Sequence, residues 1–260
     1  MIQPPAIAFD SVSKSYGNGS REVLAGVSLA VGEREFLTVV GPSGSGKTTL
    51  LRLVNRLIDP TGGTVRVAGE DVRTVDPIVL RRRIGYVFQG VGLFPHMTVA
   101  ENIGITPRLL GQDAAAIARR VDELIELVRL DRVAHGQRFP HELSGGERQR
   151  VGVARALAAH PRIVLMDEPF GALDPLTRDA LAQDYRALHD KFGLTTVLIT
   201  HDMMEALLLA DRIAVMRDGR LLTEGTPDAM MAHNGDDFVS ELMQTPRRQA
   251  DRLNALRSTR

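Results

Sequence analysis

The sequence predicts a mixed α/β fold whose core carries an inserted helical subdomain and an antiparallel β subdomain. Three observations carry this. First, an apolar run, Phe36-Leu37-Thr38-Val39-Val40, leads through a glycine-rich loop into Leu50, Leu51, Leu53, Val54 and Leu57 at helical spacing. Second, the pattern turns helical between about residues 90 and 160. Third, apolar strand-like runs return at residues 163–166 and 196–200, each ending in titratable residues. A length of 260 residues suits one large domain with a subdomain.

In chain order, residues 6–10, 23–31 and 36–40 read as short strands, broken by Gly17-Asn18-Gly19-Ser20 and Val31-Gly32-Glu33. Tyr16 sits in the first turn region and fits two readings, a half-buried turn aromatic or a platform for a nucleotide base. After the loop helix, Thr61-Gly62-Gly63 precedes a strand over residues 64–68. A helical stretch from Pro77 ends in Arg81-Arg82-Arg83, either a solvated helix end or a phosphate or partner patch. Residues 84–88 form an apolar strand ending at Gln89. Ile117, Val121, Leu124, Ile125 and Val128 fall on one face of an amphipathic helix. A polar stretch, residues 131–141, separates it from a second helix starting at Ser144. Residues 213–216 and 221–224, joined by Arg217-Asp218-Gly219-Arg220, form a hairpin. The tail from Pro246 carries five arginines and one acid, as suits a frayed solvated end or a membrane or partner contact.

The loop itself, Gly41-Pro42-Ser43-Gly44-Ser45-Gly46-Lys47-Thr48, matches G-x-x-x-x-G-K-[ST] in its strand–loop–helix setting. Its glycines let backbone N–H groups converge on phosphate oxygens. The helix start, through Thr49, adds unpaired N–H groups and the positive end of its dipole. Lys47 reaches the terminal phosphates, and the Thr48 hydroxyl coordinates Mg²⁺. Of 32 basic residues only Lys14, Lys47 and Lys191 are lysine, so a compact ammonium stands at the one loop position that needs it in an arginine-biased chain. The chain is expected to bind a nucleoside triphosphate.

Asp167 and Glu168 follow one buried strand and His201 another, at the sheet edge where α/β proteins bind ligands. Two roles follow: Asp167 holds Mg²⁺, and Glu168 orients and polarises the attacking water. His201 contacts the γ-phosphate or that water, or is simply a polar residue after a strand. Ser144-Gly145-Gly146-Glu147 reads as a capping box and, at the same helix start, as a second anion site. A second phosphate cradle suggests a nucleotide bound to another chain.

Residues Leu143 to Val151, with the core Ser144-Gly145-Gly146-Glu147, resemble the signature of the ATP-binding cassette (ABC) ATPases. They lie between a Walker A loop and a Walker B strand, with Ala172-Leu173-Asp174 and His201 following in that family's order. The resemblance spans residues 6 to about 240, with the helical subdomain at about 90–160 and a polar tail at 241–260. It implies a P-loop NTPase fold with ATP and Mg²⁺ as cofactors. Tyr16 is then the base-stacking aromatic and Gln89 the residue sensing Mg²⁺ and the membrane partner. Asp174 reaches across a homodimer, and His201 is the switch histidine. One departure stands out: the family most often has Gln where this chain has Glu147, which puts a negative charge near a phosphate.

Residues 83–89, 92–103 and 165–177 resemble bacterial importer ATPases, in particular those for glycine betaine, choline and related osmoprotectants. Polyamine and sulfate importers share much of the pattern. Many betaine relatives continue into paired CBS domains, which residues 1–260 do not contain. The resemblance implies two transmembrane permease subunits, contacted through the loop near Phe94, and a substrate-binding protein. The implied location is the cytoplasmic face of a bacterial inner membrane.

Composition agrees. Formal net charge is zero, so no basic field points to nucleic acid. There is no cysteine, which excludes disulfides and thiolate metal sites. No signal peptide or membrane span is expected, and the chain reads as soluble and intracellular. Two rivals fare worse: a DNA- or ribosome-directed ABC ATPase, which usually carries two cassettes or a coiled-coil insertion, and a P-loop kinase, which has no use for the Ser144 loop.

Overall fold

The computed structural model describes residues 4–17, 21–90, 92–171, 173–232 and 235–244. The turn at 18–20, Ala172 and the arginine-rich tail from Pro246 lie outside them. Strands β1 (Ile7–Tyr16) and β2 (Arg21–Val31) pair antiparallel. β3 (Phe36–Val40) then runs through the glycine loop into α1 (Lys47–Val54). β4 (Gly62–Val67) and β5 (Glu70–Asp71) complete a sheet ordered β2-β1-β4-β5, the antiparallel subdomain that the sequence predicts. Tyr16 is the last residue of β1 rather than part of a turn, and β4 already starts at Gly62, two residues before the strand expected from Thr64.

α2 (Pro77–Arg83) is capped by Asp76 and leads into β6 (Ile84–Val87). The helical subdomain follows as α3 (Val99–Leu109), α4 (Ala114–Leu127), the short α5 (Arg132–His135), one 3-10 turn (Pro140–Glu142) and α6 (Gly145–Leu157). The polar stretch at 131–141 is thus partly helical. β7 (Ile163–Asp167), α7 (Pro175–Phe192), β8 (Thr195–Thr200), α8 (Met203–Leu209), β9 (Arg212–Arg217), β10 (Arg220–Gly225) and α9 (Pro227–Met231) follow, and residues 237–244 are again helical. Among the described residues the core sheet is ordered β10-β9-β3-β8-β7-β6, parallel except for the β9–β10 hairpin. No described helix is long and apolar enough to cross a membrane.

β3, β7 and β8 are buried along their whole length, as parallel strands covered on both faces must be. Side chains alternate between the two faces. Phe36, Val164, Met166 and Leu198 pack under the helical subdomain and α7, whereas Leu37, Val39, Leu165, Val197 and Ile199 pack against α1 and the antiparallel sheet. Truncating a fully buried side chain such as Leu51 to alanine costs about 2–5 kcal/mol. Such packing fixes the strand ends, and the site is built on those ends.

Candidate functional site

Register places the pieces together. β3, β8, β7 and β6 are adjacent and parallel, with Val40 opposite Thr200, Asp167 opposite Ile199, and Val87 opposite Met166. The glycine loop, His201, the Asp167–Glu168 pair and the segment leading to Gln89 therefore leave the sheet at one edge, its carboxyl end.

The loop has the shape of a phosphate cradle. A Cβ at Gly41 would stand 2.0 Å from the Met216 carbonyl oxygen, and one at Gly46 would stand 2.6 Å from Leu24 Cδ2. Gly44 has φ +82 and open space around it. α1 follows its N-cap Gly46 with no side-chain cap, so its first N–H groups are left for an anion. Lys47 Nζ donates to the carbonyls of Gly41 (2.8 Å) and Pro42 (2.9 Å), and burial lowers its pKa against the opposing pull of Glu168 and Asp167. Thr48 Oγ1 donates to Asp167 Oδ1 at 3.1 Å. Burial raises the Asp167 pKa, with Glu168 adding to the effect. A buried ammonium and a buried carboxylate that do not pair with each other fit a ligand bringing charge of both signs.

Glu168 is the meeting point of the other predicted groups. Its Oε2 accepts from Gln89 Nε2 at 3.3 Å and lies 3.4 Å from His201 Nδ1. Its backbone has φ +45, a strained conformation for a non-glycine residue and one that concentrates at functional sites. His201 is 62% exposed on its side chain, open to a ligand. Its neighbours are pinned: Asp202 N donates to Thr200 Oγ1 at 3.0 Å, and Arg178 of α7 lies 3.3 Å from Asp202 Oδ2. Tyr16 is exposed, with Lys14 Nζ 5.1 Å from its ring centre.

The Ser144 loop and Asp174 form a second group. Ser144 Oγ accepts from Glu147 N at 3.2 Å, and Glu147 Oε2 accepts from Ser144 N at 2.7 Å, closing the predicted capping box. The Ser144 and His135 hydrogen bonds hold the Glu147 pKa down to about 2. Asp174 caps α7 by accepting from Thr177 N at 3.1 Å, which lowers its pKa. A Cβ at Gly146 would meet Thr177 Cγ2 at 2.7 Å, so the two helix starts touch. Among the described residues, no hydrogen bond or ion pair is seen between this group and the loop at 41–48.

Other residues escaped the sequence reading. Asn102, fully buried in α3, accepts from Phe94 N at 2.8 Å and donates to the carbonyls of Phe94, Met97 and Thr98. Arg155, buried on α6, donates to the Gly92 carbonyl at 2.8 Å with its guanidinium 5.9 Å from the Phe94 ring centre. The signal for α3 was available in Thr98-Val99-Ala100-Glu101, a capping box that the structure forms in full. Buried Asn and Arg leave no such pattern.

Comparison with known proteins agrees with this geometry. The family model described as ABC transporter matches residues 24–171. The chain is 43% identical over 259 residues to the choline transport ATP-binding protein OpuBA of Bacillus subtilis, covering 97% of this chain and 68% of that one. It is 48% identical over 227 residues to the sulfate/thiosulfate import ATP-binding protein CysA of Caulobacter vibrioides, covering 85% of this chain and 65% of the relative. The chain thus spans about two thirds of the length of these relatives. Among solved structures, the dimeric ATP-binding cassette MJ0796 in a post-hydrolysis state with ADP and Pi superposes with a TM-score of 0.78 at 33% identity, covering 85% of this chain and 98% of that one. The glycine loop, the acidic strand end, the histidine after β8 and the capped Ser-Gly-Gly helix stand in a fold shared with that cassette, and the chain belongs to the ABC transporter family.

Proposed function

We propose that the chain is the ATP-hydrolysing subunit of a membrane importer. The observation that carries this is the convergence of Gln89 and His201 on Glu168, beside the Thr48–Asp167 contact. Backbone N–H groups from Gly41 to Thr49, Pro42 excepted, bind the phosphates, and Lys47 leaves its carbonyl partners for the terminal phosphates. Tyr16 supports the base. Thr48 and Asp167, with Gln89 beside them, would hold Mg²⁺ as oxygen donors suited to a hard cation. When bound, the ion neutralises the developing phosphoryl charge. Glu168 polarises the attacking water, and His201 steadies it or the γ-phosphate.

The chain works as a homodimer, with Ser144, Gly145, Gly146 and Glu147 of one protomer closing over the ATP of the other. Asp174 lies at the same interface. ATP closes the dimer and hydrolysis reopens it. The groove lined by Leu57, Tyr86, Phe88, Phe94, Leu109 and Arg155 receives a cytoplasmic helix from each of two permease subunits. A substrate-binding protein presents the solute, and the chain sits peripherally on the cytoplasmic face of a bacterial inner membrane, with no nucleic-acid partner. The solute is a quaternary-ammonium osmoprotectant such as choline or glycine betaine, as the resemblance and the likeness to OpuBA support. The likeness to CysA favours sulfate as the second reading.

Copurification with permease and binding protein, followed by ligand binding, tests the assignment. Saturable choline or betaine binding, and ATPase activity stimulated by it, is the expected result. Stimulation by sulfate alone would move the assignment to the second reading.

A further inference from the structure

Glu147 sets a carboxylate at the helix start that, on the dimer reading above, faces a triphosphate. Two anions at one helix N-terminus repel each other. The structure shows how this carboxylate is held. Oε2 accepts from Ser144 N at 2.7 Å, and Oε1 accepts from His135 Nε2 at 3.0 Å. The other ring nitrogen of His135, Nδ1, donates to the Asp131 carbonyl at 2.9 Å. A carbonyl can only accept, and so can an ionised carboxylate. Both ring nitrogens thus face acceptors, the arrangement that suits an imidazolium on a carboxylate.

The neighbouring charges are engaged elsewhere. The Asp131 carboxylate caps Ala134 N at 2.7 Å, Arg132 pairs with Asp122 at 2.6 Å, and Glu142 accepts from Phe139 N at 2.7 Å. Arg148 donates to the carbonyls of Leu143 and Pro140. The His135 side chain is only 14% exposed, so its cation is partly shielded from solvent. Ser144 Oγ accepts from Glu147 N, and the Ser144 hydroxyl also lies against the Glu147 carboxylate, which lowers the pKa of that carboxylate.

We propose that His135 is a positioning residue for the signature loop. Its cation neutralises Glu147 and holds that carboxylate against α5. The N–H groups of Gly145 and Gly146 are then left to the partner chain's triphosphate. A neutral glutamine at position 147 needs no such cation, so His135 matters only because Glu147 is there. The inference rests on the dimer reading.

The test is ATP-driven dimerisation with Mg²⁺, measured by analytical ultracentrifugation in a Glu168→Gln background that does not turn ATP over. His135→Ala and His135→Gln are each compared with the parent, with Glu147 present and with Glu147→Gln. With Glu147 present, both His135 variants should weaken dimerisation about tenfold, since both lose the charge. With Glu147→Gln the same changes should cost less than about twofold. Thermal unfolding of each nucleotide-free variant checks that it is folded. Equal losses in both backgrounds would make His135 a packing residue, and full dimerisation by His135→Gln would show that the charge is idle; either overturns the proposal. If the parent itself fails to dimerise on ATP, the dimer reading falls and takes this inference with it.

Discussion

Thr48 Oγ1 donates a hydrogen bond to Asp167 Oδ1 at 3.1 Å, joining the start of α1 to the end of β7 across 119 residues of sequence. The two oxygens assigned to Mg²⁺ are thus already side by side. Burial raises the Asp167 pKa, and a cation there would reverse that push. Thr48→Val and Asp167→Asn should each raise the Mg²⁺ concentration needed for half-maximal ATP hydrolysis by about tenfold or more. Mg²⁺ titrations of ATPase activity measure this, and an unchanged midpoint in both variants would remove the pair from metal binding.

Glu168 receives Gln89 and lies beside His201, with strained backbone holding it in place. Glu168→Gln keeps the hydrogen-bonding shape and loses the base. Hydrolysis should fall by about 10²-fold or more while ATP binding persists. The closed dimer should then accumulate and elute earlier on size exclusion. Near-normal turnover would take Glu168 out of the mechanism.

Phe94 is 42% exposed on a loop that Asn102 clamps from the buried side. The ring is therefore presented outward rather than tucked into the core. Phe94→Ala should uncouple transport from ATP use in the assembled importer while the free subunit keeps its basal ATPase rate. Asn102→Ala strands several backbone groups and should destabilise the fold by about 1–3 kcal/mol, read by denaturant unfolding. If Phe94→Ala unfolds the free subunit instead, the ring is a core residue.

Glu147 titrates near 2 in the folded chain, against an ordinary value of 4.5. Its pKa is depressed on folding, so its contribution to stability is full above 4.5 and disappears as pH falls toward 2. Other capping carboxylates, including Glu101 and Asp174, are lowered as well, so the difference between proteins is the informative quantity. The melting temperature of Glu147→Gln should fall less steeply than wild type across that window. Parallel melting curves would contradict the assigned titration.

Much of this was readable beforehand because it is local. β3, the glycine loop, the capping box at Ser144 and the β9–β10 hairpin each follow from a short pattern with one physical cause. α7 carries its own end signals, Asp174 and Pro175 at its start and Gly193 at its end, although its interior has a weaker apolar pattern than α4. The partners of Asn102, Arg155 and His135 lie across the fold or on another helix, and no spacing encodes them. The candidate site residues were legible one by one; the convergence of Gln89 and His201 on Glu168 required the sheet order.

The central claim is that each ATP lies between Lys47 of one protomer and Ser144 of the other. Two separately tagged chains decide it, one bearing Lys47→Ala and the other Ser144→Arg, each unable to hold ATP as a homodimer. In a mixed dimer, a site built across the interface leaves one position with both lesions and one with neither. Purified mixed dimers should then retain about half the wild-type ATP at near wild-type affinity, as twofold symmetry requires. A site built within one chain leaves every position damaged, and mixed dimers holding no tightly bound ATP would contradict the account.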